Sequence, residues 1–472
     1  MKKSSVLAAA LTLGIATAAT TACAFENEFH GMFSARYINS NFNGTSITND
    51  PVTNPSGNAA VYGGDGQYFP ANKPKKVYSA NFVEQRARLQ YIAKASADLK
   101  LVTQFELDYT YWGNSSYATG RNQGGAIGAD TVNFETKNIY LDANPFKHVN
   151  MKLGMQSYSD SFKGVLFDAD MAGIAFSSGY KHFTPSIGYF RFNDTGVSQD
   201  RVLGHMTNDL FLIDGKYEIN KDFKVGAAYY LFRNNAETTD ANTIGFNPQR
   251  QDVKMSTLGL NAEYVTGPLT LNGFGVLQVG TANHRATTAW ALNTGAKYKV
   301  GPGTARCEFL YISGENDTTG HSNAFYSVFN HFGPEHGYYD NEMAILGRDK
   351  NAYTTDNSII GTVGNLGQGQ IGGYIGYDLP INAKLTTAFN AGFAAVAKEN
   401  GNKPTNNKTG RKNESNYLGT EINAEATYQL LDGLSLSTRA AYVVLGDYYK
   451  EVALNGTPEN PYDFKLIFKY TF

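Results

Sequence analysis

The chain has 472 residues, with charged residues at 17%, aromatics at 13% and 49 glycines. The charged share is below the roughly 25% of ordinary globular domains, mean hydropathy is −0.35, and after the N-terminus no apolar run reaches the roughly 18–20 residues of a spanning helix. A formal charge of −2 offers no basic surface for nucleic acid, and a chain this aromatic yet polar on average excludes a bundle of membrane helices.

The first segment, MKKSSVLAAALTLGIATAATTACAFENE, has two lysines, an Ala/Leu-rich stretch and a small-x-small site at Ala22-Cys23-Ala24. It reads as a secretory signal peptide over residues 1–24; a lipoprotein box at Cys23 lacks the large aliphatic residue expected before the cysteine. Its removal takes away Lys2 and Lys3 and no acid, moving the formal charge from −2 to −4. Cys307 is then the single thiol, so no internal disulfide, C-x-x-C redox site or attached c-type haem is available.

From residue 25 onward, period-2 segments recur. EFHGMFSARY places Phe29, Gly31, Phe33, Ala35 and Tyr37 on one side. FVEQRARLQYIAKA sets Val83, Ala87, Leu89 and Tyr91 against Glu84, Arg86, Arg88 and Gln90, and LKLVTQFELDYTYW sets Leu101, Phe105, Leu107 and Tyr109 against Gln104, Glu106 and Asp108. Later, Leu418, Ile422, Ala424, Ala426 and Tyr428 oppose Glu421, Asn423 and Glu425. The chain ends on YDFKLIFKYTF, with an aromatic or leucine at every second position from Tyr462 to Phe472 and Asp463, Lys465 and Lys469 between them. Such alternation is the signature of strands with two unlike faces.

The count is about 18 strands, or 16 if the short ones around 150–193 are misjudged. Short turn-like links (SADLK, NPFKHVN, EINKD, TGP, VGPG, LPIN, LDG) alternate in strict order with long polar segments. The longest of these are 42–78 and 314–368. Short turns on one rim and long loops on the other, with Tyr and Phe closing the apolar rows, point to an all-β transmembrane antiparallel barrel over 25–472. A soluble sandwich or β-helix also alternates, but has no use for aromatic strand ends. The last strand has nothing beyond it, so it is expected to pair with the first and remove both open edges.

In a barrel of this size the polar register lines a water-filled lumen. Once the ends meet, Arg439, Lys465, Lys469, Arg36, Arg86 and Arg88 form a continuous basic wall bordered by Glu106 and Asp108. Each of these charges is either a selectivity determinant or simply hydrated and paired with its neighbour. No enzyme constellation competes. His331, Glu335 and His336 in HFGPEH have the wrong spacing for a zinc helix, and Gly333-Pro334 would break one. There is no G-x-S-x-G and no phosphate loop in strand–turn–helix context. Neither catalysis nor a cofactor or metal is expected. The aromatic content of 314–368 suits a cap, an inward plug or a subunit contact.

The signal peptide, FVEQRARLQYIAKA followed by LVTQFELDY, ETKNIYLDA followed by MKLGMQSYSDSFKG, and the FKYTF end together resemble a Gram-negative outer-membrane porin, most nearly the porins of metal-reducing delta-proteobacteria. The resemblance implies homotrimers embedded in outer-membrane lipid and lipopolysaccharide, and recognition of Phe472 by the barrel-insertion machinery. It also implies a constriction loop at 157–171, whose Asp168 and Asp170 would oppose the basic wall. The function it implies is passive diffusion of small hydrophilic solutes and ions. The alternatives are a substrate-selective channel and a barrel that sheathes a partner multihaem cytochrome for electron transfer.

Overall fold

Eighteen strands pair with their sequence neighbours in the computed structural model: β1 (Glu26–Ser40), β2 (Ala80–Ser96), β3 (Leu99–Tyr111), β4 (Glu135–Phe146), β5 (Val149–Ser159), β6 (Asp168–Ser178), β7 (Phe183–Asp194), β8 (Thr207–Asn220), β9 (Phe223–Asn234), β10 (Val253–Thr266), β11 (Leu269–Ala282), β12 (Arg285–Val300), β13 (Gly303–Ile312), β14 (Gln370–Pro380), β15 (Leu385–Ala395), β16 (Tyr417–Leu431), β17 (Leu434–Leu445) and β18 (Tyr462–Thr471). The described residues are 26–44, 76, 79–114, 125–127, 134–194, 202–235, 252–282, 284–316, 320–328, 337–353, 355–399 and 403–472. Segment 1–24, most of 42–78 and the HFGPEH stretch lie outside them.

Every pairing in the large sheet is antiparallel, and β18 pairs with β1 from Met32↔Thr471 to Ser40↔Asp463, so the sheet is a closed barrel of 18 strands. The alternation carries through to orientation. On β10, Leu258 and Leu260 project outward at 57% and 63% exposure, while Val253 and Met255 are buried inside. On β18, Phe464, Phe468 and Tyr470 face out, and Asp463 and Lys465 face in. Tight links of two to four residues join the strands along one rim. Asn220 and Asn382 accept the amides that turn two of them, the usual role of Asn in such corners.

Two expectations need correcting. The alternation of short and long links fails once, because β11 and β12 are joined by 283–284 alone. Leu418, expected on the outer row, is buried inside. Gly419, at φ +152°, coincides with a register shift opposite Ala394/Ala395, which turns the start of β16 by one residue. A bulge of this kind moves every residue beyond it to the other face.

The seam is finished by the last residue: the Phe472 amide donates to the Gly31 carbonyl at 3.1 Å and the Gly31 amide to the Phe472 carbonyl at 2.9 Å. A Cβ on Gly31 would lie 2.6 Å from the Phe472 ring and 2.7 Å from the Arg88 carbonyl oxygen. Gly31→Val is therefore expected to cost about 1–3 kcal/mol of overpacking at the one junction that closes the barrel. Its measure is a reduced yield of the heat-modifiable folded form on gels of purified membranes.

The interior is not uniformly polar. From β6 to β13 the inward residues include Phe190, Leu210, Leu212, Tyr230, Phe232, Met255, Phe274, Val276 and Leu310, all buried and in mutual contact. Residues of two inserted chain segments pack against them in that half of the barrel, and these segments form the candidate site.

Candidate functional site

The first segment is the tip of the β5–β6 hairpin, the third connection on the long-loop rim, here L3 (160–167). β5 pairs with β6 as far as Ser159↔Asp168. The hairpin parts from β4 after Ile139↔Met155 and from β7 after Ala172↔Arg191. Both neighbours continue: β4 pairs with β3 to Glu135, and β7 with β8 to Asp194. The free end of the hairpin leaves the wall and crosses the lumen. Phe162 packs on Tyr230 and Phe274 at ring separations of 5.9 and 5.8 Å, and Phe167 on Tyr230 at 5.3 Å. At the tip, Lys163 reaches Glu308 on β13 at 2.6 Å and Asn272 on β11 at 3.0 Å. Buried Asp160 sets the turn by accepting four backbone amides, from Phe162, Gly164, Leu166 and Phe167, at 2.6–3.1 Å.

The 157–171 stretch is thus only partly loop. Asp168 and Asp170 stand on β6, because the hairpin ladder runs two residues further on β5 and four on β6 than the sequence suggests.

The second segment is L7 (313–369), which joins β13 to β14. Of the three roles its composition allowed, the structure shows inward packing. Met343–Leu346, Ile359 and Ile360 bury against Ala394, Val396, Leu418, Ala441 and Val443 from β15–β17 and their flanks. Glu421 on β16, wholly buried, accepts the amides of Ala344, Ile345 and Leu346 at 2.6, 2.9 and 2.8 Å. Asn423 donates to the Glu342 carbonyl at 2.8 Å. Ion pairs complete the seat. Asp349 pairs with Arg439; Asp356 meets Arg36 at 2.8 Å and Lys465 at 2.7 Å; Glu342 meets Arg306 at 3.4 Å. Burial alone would raise the Asp356 carboxyl, but Lys465 and Arg36 overcome it and hold the group well below the usual carboxylate range. Such a depressed carboxylate supports its contact at all pH above the ordinary carboxyl range and loses it only in stronger acid.

The basic wall is real but mostly covered. Arg36, Arg439 and Lys465 are 1%, 4% and 2% exposed, each beneath an L7 acid. Arg86 is held by Asp108 and, at 3.2 Å, by Glu106; Arg88 meets Glu106 at 2.9 Å. The Tyr353 ring lies 3.8 Å from the Arg36 guanidinium and 4.3 Å from that of Arg86, a stacking that favours a desolvated cation.

Between these parts lies a cavity of about 740 Å³. Arg86, Arg88 and Lys137 line one side, Asp168 and Asp170 the hairpin side, and Arg348, Tyr353 and Asp356 the L7 side. Lys137 spans the gap, 2.8 Å from Asp170 and 3.5 Å from Glu106. Asp168 and Asp170 thus line the same cavity as Arg86 and Arg88, whereas Arg36, Arg439 and Lys465 lie under L7 acids. Lys137, Arg348, Tyr353, Asp349 and Asp356 were not foreseen. Counting by twos from outward Ile139 puts Lys137 outside; the register shift at Gln104/Phe105 turns it in. Among the described residues no cluster of His, Cys, Asp and Glu could hold a metal.

Solved structures share this architecture. OccAB4 of Acinetobacter baumannii aligns with a TM-score of 0.53 at 14% identity, over 95% of this chain and 98% of that one. The fold is that of the Occ porins. Two further Occ barrels, both from Pseudomonas aeruginosa, were solved with small molecules: OccK2 in complex with glucuronate (TM-score 0.50, 11% identity, 95% and 98% coverage) and OpdK with vanillate (0.51, 10%, 94% and 98%). No known family profile matches the sequence, and no curated protein matches it.

Proposed function

We propose that the protein is an outer-membrane porin, a channel for passive passage of small hydrophilic solutes and ions. The observation that carries this is the charged cavity inside a closed Occ-type barrel, bounded by cations on the wall and carboxylates on a folded-in hairpin. Opposed charges across a narrow, partly dry passage set up a transverse field that sorts ions and orients dipolar solutes. The outward rows of Leu, Ile, Phe and Tyr are the surface such a barrel presents to lipid and lipopolysaccharide. The terminal Phe472 strand is the element an insertion machinery would read, and a homotrimer is the expected assembly. The narrower likeness to porins of metal-reducing delta-proteobacteria rests on the quoted segments alone. L3 and L7 occupy the interior that a sheathed cytochrome would need, which favours a channel over an electron conduit.

Reconstitution in planar bilayers tests the proposal: stable steps of ionic current are expected, and a purified, folded barrel that conducts nothing would overturn it. A selective form of the same reading deserves the same apparatus. Arg88, Lys137 and Arg348 keep 31%, 25% and 29% of their side chains open, and the glucuronate and vanillate bound to the two Pseudomonas neighbours both carry a carboxylate. Saturable block by such acids is the expected sign. Arg88→Gln with Lys137→Gln should move the reversal potential toward cations and weaken that block by about 1 kcal/mol per removed contact.

A further inference from the structure

L7 brings acids onto a row of like charges that the barrel alone could not easily tolerate. Arg439 on β17 and Lys465 on β18 are direct cross-strand partners, and Arg36 on β1 lies diagonally beyond Lys465, whose own partner there is Ile38. Like charges directly opposite on one sheet face repel, and these three are almost completely buried. The wall itself supplies acids for two of the three: Asp463 meets Lys465 at 3.2 Å and Glu84 meets Arg36, while Arg439 is left to L7. The remaining compensation comes from one short stretch of L7, where Asp349 takes Arg439 and Asp356 is shared by Arg36 and Lys465. Thr355 tightens the same knot by donating to Glu84 at 3.0 Å, and the Tyr353 amide donates to Asp356 at 2.8 Å.

We infer that the 349–356 arm of L7 is a built-in anionic ligand of the β17–β18–β1 stripe, and that Asp349 and Asp356 are specificity-determining residues: seated, they outweigh the one positive charge that Glu84 and Asp463 leave on the stripe; absent, that residual charge turns the lumen toward anions. The idea rests on the channel reading and adds to it the origin of ion preference. The arm borders the charged cavity directly, since Ala352, Tyr353 and Asp356 are among its lining residues. A change in the arm's charge is therefore felt by ions crossing that cavity, and not merely by the fold.

The test uses the full-length protein in planar bilayers under a potassium chloride gradient, comparing wild type with D349N/D356N. The double variant is expected to raise the chloride-to-potassium permeability ratio by roughly threefold at 0.1 M salt, where a Debye length of about 10 Å leaves wall charge only partly screened. Adding K465Q to D356N should return the ratio toward wild type, a rescue that a purely structural role for Asp356 does not predict. D356E, which keeps the charge, should match wild type. If the double variant does not insert, D356N alone gives the same readout with a smaller shift. A conducting D349N/D356N or D356N channel with unchanged selectivity overturns the inference and leaves the channel reading standing. A wild-type barrel that conducts no current overturns the channel reading itself.

Discussion

Asp160→Ala is expected to release the L3 tip and raise single-channel conductance. The carboxylate accepts the amides of Phe162, Gly164, Leu166 and Phe167, and alanine offers them nothing. A buried amide left without a partner costs about 1–3 kcal/mol. Four of them exceed what packing Phe162 and Phe167 across the lumen returns, because burying a large apolar side chain gives about 1.5–3 kcal/mol. The tip should therefore open to water and widen the passage, while Asp168 and Asp170 stay with the β5–β6 ladder. The wall should be unaffected, since β5 and β6 keep their pairing below the turn. Conductance of the variant equal to wild type, with a cysteine at position 162 still shielded from a water-soluble thiol reagent, would show that the tip is seated by something other than Asp160. Asp160→Asn, which retains one acceptor oxygen, should fall between the two.

Glu421→Ala should have the larger effect on L7. One side chain on β16 gathers three consecutive amides, Ala344, Ile345 and Leu346, and a fourth hydrogen bond from Asn423. Without it the amides stay buried and unpaired, at about 1–3 kcal/mol each, and the surrounding ion pairs must hold the segment alone. The expected result is protease cleavage within 340–360 on intact, folded barrels, at least about tenfold faster than in wild type, since each 1.4 kcal/mol of lost seating raises the open population tenfold. Loss of the barrel itself, with no selective cutting of L7, would mean that Glu421 supports the wall rather than the loop.

Much of the wall was legible in the sequence because its physics is local. A strand with two unlike faces writes its orientation residue by residue, so the row from Tyr462 to Phe472 could be assigned by parity alone. The exceptions are local too: Leu418 and Lys137 sit beside bulges, and a single extra residue reverses parity without leaving a mark in composition. β6 began at Asp168 rather than near 172, since Asp168 and Asp170 look like loop residues until the hairpin is seen to continue inside the barrel.

The contents of the lumen were legible only in part. The basic residues were found, with Glu106 and Asp108 beside Arg86 and Arg88, but not the L7 partners, because those contacts join residues far apart in the chain, such as Arg36 with Asp356. L7 has no period to read, and its acids do not announce which wall they will meet. The apolar inner face of β7–β11 was not read from the sequence: a run such as AAYYLF is apolar at both parities, and a lumen filled by protein and one filled by water make different demands on that face. Parity cannot tell them apart.

The two inserts hold to the wall chiefly by side chains, apart from a backbone bridge between Ser322 and β12, while the wall holds itself by backbone pairing. These are separable systems. Tip and arm residues can be exchanged, shortened or recharged without asking any strand to change partners, so the scaffold tolerates wide remodelling of what crosses it. Evolution and engineering alike would retune the traffic through this barrel by rewriting a few dozen residues of stuffing inside an unaltered cylinder.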